Sequence, residues 1–388
     1  MVSLPQPILR ARHLLAAVPL FGLATGALFP LVALNLAAME VSSSFIGSVT
    51  SLYYAGSFLG AVSFGFVVRR LGYRRGFAVA ALIAALATYA LTLTDNPSLW
   101  LLLRFAGGYA LGAYYIVVDS WFQALGRRDT RGKLFAVYET LRLAATALGP
   151  FLLVLGAIES NLVLIALAYL LSIAPASFNE PPKGGAAKEF SFSGMTDLAR
   201  CFPFALIVGF CGGAANASFY GLSAVYAAQV NFDRAEIAFF VAFVLVAPAI
   251  SQIPLGAGAD RSKRMTLALG CAITALLACI SMAALAQPSL WMACLGGALV
   301  GGCLVPLYAF GLSRIVDTVG EDDAVSAATV VLLAYNLGAF VAPAGAGLAM
   351  DALGSGGLYL FLGAIALLAL VAAKSDAVFS NCCPESSR

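Results

Sequence analysis

Residues 65–77 read GFVVRRLGYRRGF and place four arginines in a short connector between two long apolar runs. The rest of the chain is sparing with charge, because only 11% of its 388 residues are Asp, Glu, Lys or Arg. With 61% hydrophobic residues and a mean hydropathy of +0.93, the sequence has too little polar surface to cover a water-soluble globule. The composition therefore predicts an integral membrane protein in which each charge matters by its position.

Apolar runs long enough for a helix to cross ~30 Å of hydrocarbon recur along the whole chain. The alternation of polar and apolar residues that marks a membrane β-barrel is absent, so we expect an all-α fold. We predict twelve transmembrane helices, near residues 14–37, 44–68, 77–94, 98–122, 134–156, 161–177, 201–226, 236–256, 265–286, 289–312, 324–350 and 356–373.

Basic residues are concentrated in alternate connectors between the predicted spans. When the N-terminus is placed in the cytoplasm, the inner connectors contain Arg69, Arg70, Arg74, Arg75, Arg127, Arg128, Arg131, Lys133, Lys183, Lys188, Arg200, Arg261, Lys263 and Arg264. The outer connectors contain Glu40, Asp95, Glu159, Asp233 and Glu236, with Arg234 as their only basic residue. By the positive-inside rule, this asymmetry predicts that both termini face the cytoplasm.

The chain contains two halves that are related by a shift of 191 residues. The tetrapeptide PSLW at 97–100 recurs at 288–291. At the same shift, Gly22, Gly65 and Arg70 match Gly213, Gly256 and Arg261. We therefore predict an N-terminal six-helix bundle over 1–177, a polar cytoplasmic linker over 178–200, and a C-terminal six-helix bundle with a short cytoplasmic tail over 201–388.

The connector at 65–77 resembles the signature loop of the major facilitator superfamily, which reads G-x-x-x-D-(R/K)-x-G-x-(R/K)-(R/K). The residues in register are Gly65, Arg70, Gly72, Arg74 and Arg75, with Arg69 at the position where an acid is usual. The second half has a copy that keeps the acid but lacks the second glycine, at Gly256, Asp260, Arg261 and Arg264. Span 4 resembles the family's R-x-x-x-G pattern at Arg104 and Gly108, and Gly149-Pro150 in span 5 resembles a remnant of the antiporter-type motif. Within the superfamily, the chain is most similar to a poorly characterised bacterial branch of YcaD type.

The resemblance implies twelve helices in two pseudo-symmetric six-helix bundles, which open alternately to either side of the membrane. It also implies that the arginine-rich loop latches the outward-open state through ion pairs. Asp119, at the cytoplasmic end of span 4, is then the expected partner of Arg70 or Arg74. Because Arg69 removes one acceptor and brings like charges together, we expect a weakened latch in the first half. The alternative is that the loop is basic only to hold the topology.

Ionisable side chains inside membrane spans cost ~2.5–3.5 kcal/mol on insertion scales and are functional candidates by default. Four lie within the predicted spans, namely Arg104, Asp119, Glu139 and Arg142. The spacing of Glu139 and Arg142 allows a pair on one helix face, which is either structural, a proton carrier centred on Glu139, or a substrate contact. For Arg104, the resemblance implies a role in proton coupling or in holding the cavity wall. Binding of an anionic substrate group and bonding to backbone carbonyls are the alternatives.

The same resemblance implies that spans 1, 4, 7 and 10 line the cavity, with spans 2, 5, 8 and 11 beside them. The further proton-coupling or substrate candidates on these spans are Asn35, Tyr115, Asn216, Tyr220, Tyr308 and Asn336. Packing and interfacial roles are the alternatives for the tyrosines, and a hydrogen bond to a neighbouring helix is the alternative for the amides.

The sequence contains no phosphate-binding loop, no metal-ligand spacing and no nucleophile with a base, so we expect neither catalysis nor ATP-driven pumping, and no cofactor. We expect a secondary transporter of the bacterial cytoplasmic (inner) membrane, which exports a small, largely apolar compound by proton antiport. Its partners are then the lipid bilayer, the small-molecule substrate and protons, not nucleic acid, and we expect a monomer. The alternatives are uptake of a small organic anion by symport and a non-transporting membrane receptor.

Overall fold

The computed structural model describes residues 6–125, 131–179, 202–257, 264–316 and 324–379. Among these residues, twelve helices are long and apolar enough to cross a membrane, and no strand occurs. The all-α fold with twelve spans is therefore confirmed. The largest difference from the predicted ends is in the third span, which begins at Gly65 because the arginine-rich connector is itself helical.

The helices follow the order of the predicted spans. In the first half they are α1 Gln6–Ala38, α2 Ser43–Ser63, α3 Gly65–Ala90, α4 Pro97–Leu125, α5 Arg131–Leu148 and α6 Ile158–Ser177. In the second half they are α7 Pro203–Gln229, α8 Arg234–Ala257, α9 Arg264–Ala283, α10 in two segments, Leu290–Leu304 and Leu307–Val316, α11 Ala324–Leu353 and α12 Gly356–Phe379. Short 3-10 turns, Leu91–Leu93 and Gly149–Val154, follow α3 and α5. Pro306 separates the two segments of α10 because proline has no backbone N–H to donate.

The connector at 65–77 folds as the first turns of α3, with a kink at Gly72. This residue has φ 76° and ψ 171°, which interrupts the helical backbone. A residue with a Cβ atom rarely adopts this conformation, whereas glycine adopts it without steric cost. The second glycine of the loop is therefore the point at which the chain turns from the connector into the third span.

The helices group into two compact units, and each is described by itself. In unit 1, α1 packs on α5 and α6, and α3 packs on α4 and α6. In unit 2, α7 packs on α11 and α12, and α9 packs on α10 and α12. The same helices of each half are therefore in contact in both units, as a parallel sequence repeat requires.

Local backbone conformation in the first half recurs in the second half, 191 residues later. Among the described residues, the non-glycine positions with positive φ are Glu40 at 57° and Asn231 at 65°. Each residue lies just after the first helix of its half, and its backbone N–H donates to the carbonyl three residues earlier. Glu40 donates to Ala37, and Asn231 donates to Ala228. The duplication inferred from short sequence matches thus has counterparts in local conformation.

The matching glycines of the first helices also have equivalent surroundings. A Cβ atom on Gly22 would press on the Arg142 carbonyl of α5, and a Cβ atom on Gly213 would collide with the Tyr335 carbonyl of α11. In both halves, the first helix therefore approaches the fifth helix closely through a glycine.

Most of the first half falls in unit 1 and most of the second half in unit 2. Residues 42–51 nevertheless belong to unit 2, and residues 233–242 belong to unit 1. The linker predicted at 178–200 lies outside the described residues from position 180 onward. The predicted boundaries at 177 and 201 therefore stay a prediction.

Candidate functional site

Glu139 and Arg142 form an ion pair on α5. The Arg142 Nε and Nη2 atoms donate to the Glu139 Oε2 atom at 3.0 and 2.6 Å. The Arg142 Nη1 atom also donates to the hydroxyl of Tyr115 at 3.2 Å, which connects α5 to α4. One guanidinium therefore holds a carboxylate and a phenol from two helices together. The pairing that the i, i+3 spacing allows is present.

This ion pair lies near the middle of a helix that is a candidate membrane span by length and composition. The span runs from Gly132 to Val154, so at 1.5 Å per residue Arg142 lies about 15 Å from one end and about 18 Å from the other. The side chains of Arg142 and Glu139 keep 18% and 30% of their surface exposed. Ionisable groups at this depth face a bundle interior or a water-filled cavity, because lipid cannot solvate them. The pair therefore marks a polar surface inside the membrane.

A second carboxyl group lies one helical turn from Tyr115 on α4. The Oδ1 atom of Asp119 is buried, and the Asp119 carboxyl group interacts with the hydroxyl of Tyr138 on α5. This hydroxyl, next to Glu139, is also buried. The facing parts of α4 and α5 therefore present two carboxyl groups, one guanidinium and two phenols, a set that can bind and release protons.

The arginines of the 65–77 connector have acceptors other than Asp119. The Arg74 Nε atom donates to the backbone carbonyl of Asn179 at 2.7 Å, just beyond the end of α6. The Arg70 guanidinium lies 4.1 Å from the centre of the Phe66 ring. Carbonyl groups at a helix C-terminus carry partial negative charge, so Arg74 is satisfied there without a carboxylate. The expected ion pair with Asp119 is not formed among the described residues, and the latch stays a prediction.

The other predicted latch residues are distributed over both loops. Arg69 and Arg75 are exposed, and Gly65 begins α3. In the second loop, Gly256 lies in the last turn of α8. Asp260, Arg261 and the side chain of Arg264 lie outside the described residues.

Arg104 is enclosed by aromatic rings within unit 1. Only 2% of its surface is exposed, and its guanidinium carbon lies 4.1 Å from the Tyr53 ring centre and 4.9 Å from the Phe29 ring centre. The Nε and Nη1 atoms are buried and have no hydrogen-bond partner in the described part of the chain. Ring faces attract a guanidinium, but they do not satisfy its N–H groups as an oxygen would. Bonding to backbone carbonyls is therefore not the role of these two atoms here.

An aromatic layer surrounds Tyr114 of α4, which is next to Tyr115 of the ion-pair cluster. Phe21 of α1 stacks on Tyr114 at 3.8 Å between ring centres and meets Tyr169 of α6 edge-on at 4.7 Å. Arg104 precedes Tyr115 by eleven positions, or about 16 Å along the helix, so the arginine and the ion pair lie at different depths. Sequence reasoning missed Phe21, Phe29 and Tyr169, because no local pattern separates a ring that contacts a charge from a ring that only packs.

In unit 2, aromatic residues gather where α7 meets α10 and α11. The rings of Tyr308 and Tyr335 contact edge to face, with centres 5.4 Å apart. Their backbones approach α7 at Gly212 and Gly213, where a Cβ atom would crowd Tyr308 and collide with the Tyr335 carbonyl. The two glycines therefore bring these tyrosines close to α7.

The remaining polar candidates are partly exposed on their helices. Asn216 and Tyr220 lie one turn apart on α7, and Asn35 lies near the end of α1. Asn336 of α11 donates from Nδ2 to the Leu332 carbonyl of its own helix at 2.8 Å. Its amide is thus already engaged in part, as a polar side chain in a membrane helix commonly is.

The described residues contain no group of three or more His, Cys, Asp or Glu side chains that could hold a metal ion. The described cysteines are free thiols, and those at 211, 271, 279 and 294 are buried.

A family model, a sequence relative and two solved structures match this chain. The family model described as Major Facilitator Superfamily matches residues 14–230 and 204–376. An uncharacterized MFS-type transporter, YcaD of Escherichia coli K12, is 27% identical over 378 residues, which is 96% of each chain. The crystal structure of the nucleoside transporter NupG has a TM-score of 0.76 at 12% identity, covering 96% of this chain and 99% of that one. A bacterial homologue of the human lysosomal transporter Spinster, inward-facing and unoccupied, has a TM-score of 0.75 at 14% identity and covers 98% of both chains.

Proposed function

We infer from these matches that the chain belongs to the Major Facilitator Superfamily of secondary transporters, and we propose that it exports a small, largely apolar organic compound in exchange for protons. Transport proceeds by alternating access, with the substrate site open to one side of the membrane at a time. The compound is moved without chemical change.

The partly exposed ion pair at mid-membrane depth is the observation that carries the proposal. Protonation of Glu139 removes the negative charge that holds Arg142, so the guanidinium is released to another partner. Because Arg142 also binds Tyr115, its release changes the connection between α5 and α4. A group at this depth can take up a proton from one side and release it to the other when access alternates. The pair thereby couples proton movement to a change in helix contacts.

The nature of the candidate residues supports a largely apolar substrate. Apart from the ion pair, Asp119 and the enclosed Arg104, the candidates are tyrosines and amides. The faces and edges of tyrosine rings bind aromatic and apolar molecules, and the hydroxyl supplies one polar contact. Gly149, in the remnant of the antiporter-type motif, lies so close to Ala27 of α1 that a Cβ atom would collide with its backbone.

The test of proton coupling uses everted membrane vesicles that respire and acidify their lumen. A panel of lipophilic cations and neutral aromatic compounds is added, and an acridine dye reports the pH gradient. Antiport of a compound dissipates the gradient and restores dye fluorescence. We expect this response with the wild-type chain and its loss in Glu139→Gln, whereas exchange of labelled compound across unenergised vesicles survives. Asp95→Asn, on an exposed outer connector, is the matched control and keeps both activities.

Two results of this assay contradict the proposal. Unchanged proton-driven transport in Glu139→Gln would eliminate Glu139 as the proton carrier. If the wild-type chain moves no compound under any gradient, the non-transporting receptor becomes the better interpretation.

Arg104 supports uptake of a small organic anion as a second candidate function. Its buried Nε and Nη1 donors lie on different edges of the guanidinium and have no partner among the described residues, so the carboxylate of a substrate would satisfy one of them. The two functions differ in Arg104→Lys, which keeps the charge but loses the planar guanidinium and its Nε donor. A raised half-saturation concentration for an acid supports anion uptake, whereas loss of proton coupling supports the export function.

We place the transporter in a bacterial cytoplasmic membrane as a monomer, with both termini on the cytoplasmic side. The basic inner connectors and acidic outer connectors support this orientation. The bilayer, the substrate and protons are its partners.

A further inference from the structure

Two helices of the chain are shared between the two units. Residues 42–51 of the α2 region belong to unit 2, although the rest of α2 belongs to unit 1. Residues 233–242 of the α8 region belong to unit 1, although the rest of α8 belongs to unit 2. We name these ranges the exchanged segments. They are related by the same 191-residue shift as the two halves, so the exchange is a property of the repeat.

A carboxylate from α11 caps the first exchanged segment. Asp351 accepts hydrogen bonds from the backbone N–H groups of Ser43 and Ser44, at 2.7 Å to Oδ1 and 3.0 Å to Oδ2. The N–H groups of a first helical turn have no partner within the helix, and they carry partial positive charge. Two charge-assisted hydrogen bonds therefore hold the start of α2 against the end of α11.

The backbones of α2 and α11 also approach closely at this place. A Cβ atom on Gly47 would collide with the Pro343 carbonyl of α11, and a Cβ atom on Gly347 would collide with the Ser43 carbonyl of α2. The amide of Gln229, at the end of α7, donates to the Ser43 hydroxyl at 3.4 Å. The carboxylate thus lies in a closely packed contact between α2 and α11, with a glycine on each helix.

The remainder of α2 packs on a different neighbour. Cβ atoms on Gly56 and Gly60 would collide with the carbonyls of Phe105 and Tyr109, which belong to α4. The two parts of one continuous helix therefore have separate partners. A rearrangement that keeps α2 on α4 has to separate residues 42–51 from α11.

The second exchanged segment has a cap of its own. The Oδ1 atom of Asp233 accepts from the N–H groups of Ala235 and Glu236, each at 2.8 Å, and Glu236 Oε2 accepts from the Asp233 N–H at 2.9 Å. Arg234 adds a bond to the Gly156 carbonyl at 3.3 Å. This cap stays intact when the segment moves. At the start of α2, the Ser42 hydroxyl accepts from the Phe45 N–H at 3.2 Å, but the N–H groups of Ser43 and Ser44 are held by another helix. Movement of α2 away from α11 therefore breaks these two bonds.

We propose that Asp351 is a positioning residue that holds residues 42–51 of α2 on α11 within unit 2. When α2 moves with α4, Ser43 and Ser44 leave the carboxylate, and water replaces both hydrogen bonds. The carboxylate therefore favours the state in which residues 42–51 stay on α11, and it acts at only one of the two exchanged segments. The consequence for transport rests on the proposed function, whereas the contact rests on geometry alone.

The test asks whether loss of the carboxylate exposes the first exchanged segment. Thr50 is 5% exposed and packs on Gly221 of α7, so Thr50→Cys reacts with a maleimide when the segment moves. The full chain is labelled in lipid nanodiscs, and site-resolved mass spectrometry separates this cysteine from the native ones. We expect Asp351→Ala to raise its labelling rate about tenfold or more, because hydrogen bonds to a charged group are lost. Asp351→Asn keeps one acceptor oxygen and gives a smaller rise.

Two controls separate opening from unfolding. Ala81→Cys, at a fully buried position of α3, reports on the fold as a whole. Asp95→Asn removes an exposed acid from another outer connector and leaves the Thr50→Cys rate unchanged. Fast labelling at Thr50→Cys with slow labelling at Ala81→Cys supports the proposal.

Two outcomes would overturn it. The Thr50→Cys rate would be the same with and without the carboxylate, or both cysteines would react faster, which would mean that Asp351 only stabilises the fold. Labelling needs no substrate, so it can succeed even if proton-coupled export fails in vesicles. That combination would reject the proposed function and leave the role of Asp351 in place.

Discussion

The charged residues inside the spans of unit 1 are accommodated in two different ways. Arg142 gives its N–H groups to a carboxylate and a phenol, so its charge is compensated and its donors are satisfied. Arg104 lies against the rings of Tyr53 and Phe29, which compensate charge but leave the Nε and Nη1 donors unsatisfied. On this basis we propose that a proton on Glu139 opens the first arrangement. In the second candidate function, an anion that enters would satisfy a donor of Arg104.

The ion pair makes a prediction about stability. Arg142→Met leaves Glu139 charged and unpaired inside the span, and we expect it to lower the free energy of unfolding by about 1–3 kcal/mol, less than for a fully buried pair. The double variant Glu139→Gln with Arg142→Met removes both charges and recovers most of this loss. Thermal unfolding in detergent measures both. Arg234→Met, which loses one long hydrogen bond to a carbonyl, serves as the control. Equal destabilisation in the single and double variants would contradict the interpretation that the charges of Glu139 and Arg142 compensate each other.

At this scale, the sequence predicts partners only when they are close in the chain. The spacing of Glu139 and Arg142 identified their pair, because residues three apart share a helix face. The rings around Arg104 come from α1 and α2, and the cap of Ser43 comes from a residue 308 positions away. Such contacts depend on how helices pack, which local spacing does not encode.

Close helix packing at glycines organises both units. The first helix of each half approaches the fifth through Gly22 or Gly213, and α2 approaches α4 through Gly56 and Gly60. Without a hydrophobic force between helices in lipid, close van der Waals contact at small residues is a main source of association. The helix contacts are therefore set by a few positions that exclude even a methyl group.

Gly26 provides a test at the level of the helix. A Cβ atom there would collide with the Thr146 carbonyl of α5, so Gly26→Ala must push α1 and α5 apart. We expect a loss of about 1–3 kcal/mol in the free energy of unfolding, typical of overpacking. Gly107→Ala is the matched control, since the nearest atom to its Cβ would be 3.9 Å away and the helix gains propensity. Thermal unfolding of both variants decides the point, and equal stability would contradict the packing account.

The order and number of helices followed from hydropathy alone, because each span must be about 20 apolar residues long. The ends were less accurate where a connector is helical, as at 65–77. The kink at Gly72 agrees with a loop that resembles the family signature, but its left-handed conformation had no separate signal. The exchange of residues 42–51 and 233–242 was not predicted, since it arises from contacts between helices distant in the chain.

The whole molecule is organised as a duplication. Equivalent helix contacts, the paired positive-φ residues Glu40 and Asn231, and the exchanged segments all follow one shift of 191 residues. A parallel repeat gives equivalent positions the same side of the membrane, whereas an inverted repeat gives them opposite sides. Alternating access in this account requires the parallel arrangement, with the arginine-rich connectors in the cytoplasm.

Reporter fusions at equivalent positions measure this arrangement most directly. Positions 72 and 263 form one such pair, and positions 96 and 287 form another. We expect green fluorescent protein fused after 72 or 263 to fluoresce, and alkaline phosphatase fused after 96 or 287 to be active. Phosphatase activity after 72 or 263, or opposite results for the two members of either pair, would contradict the account.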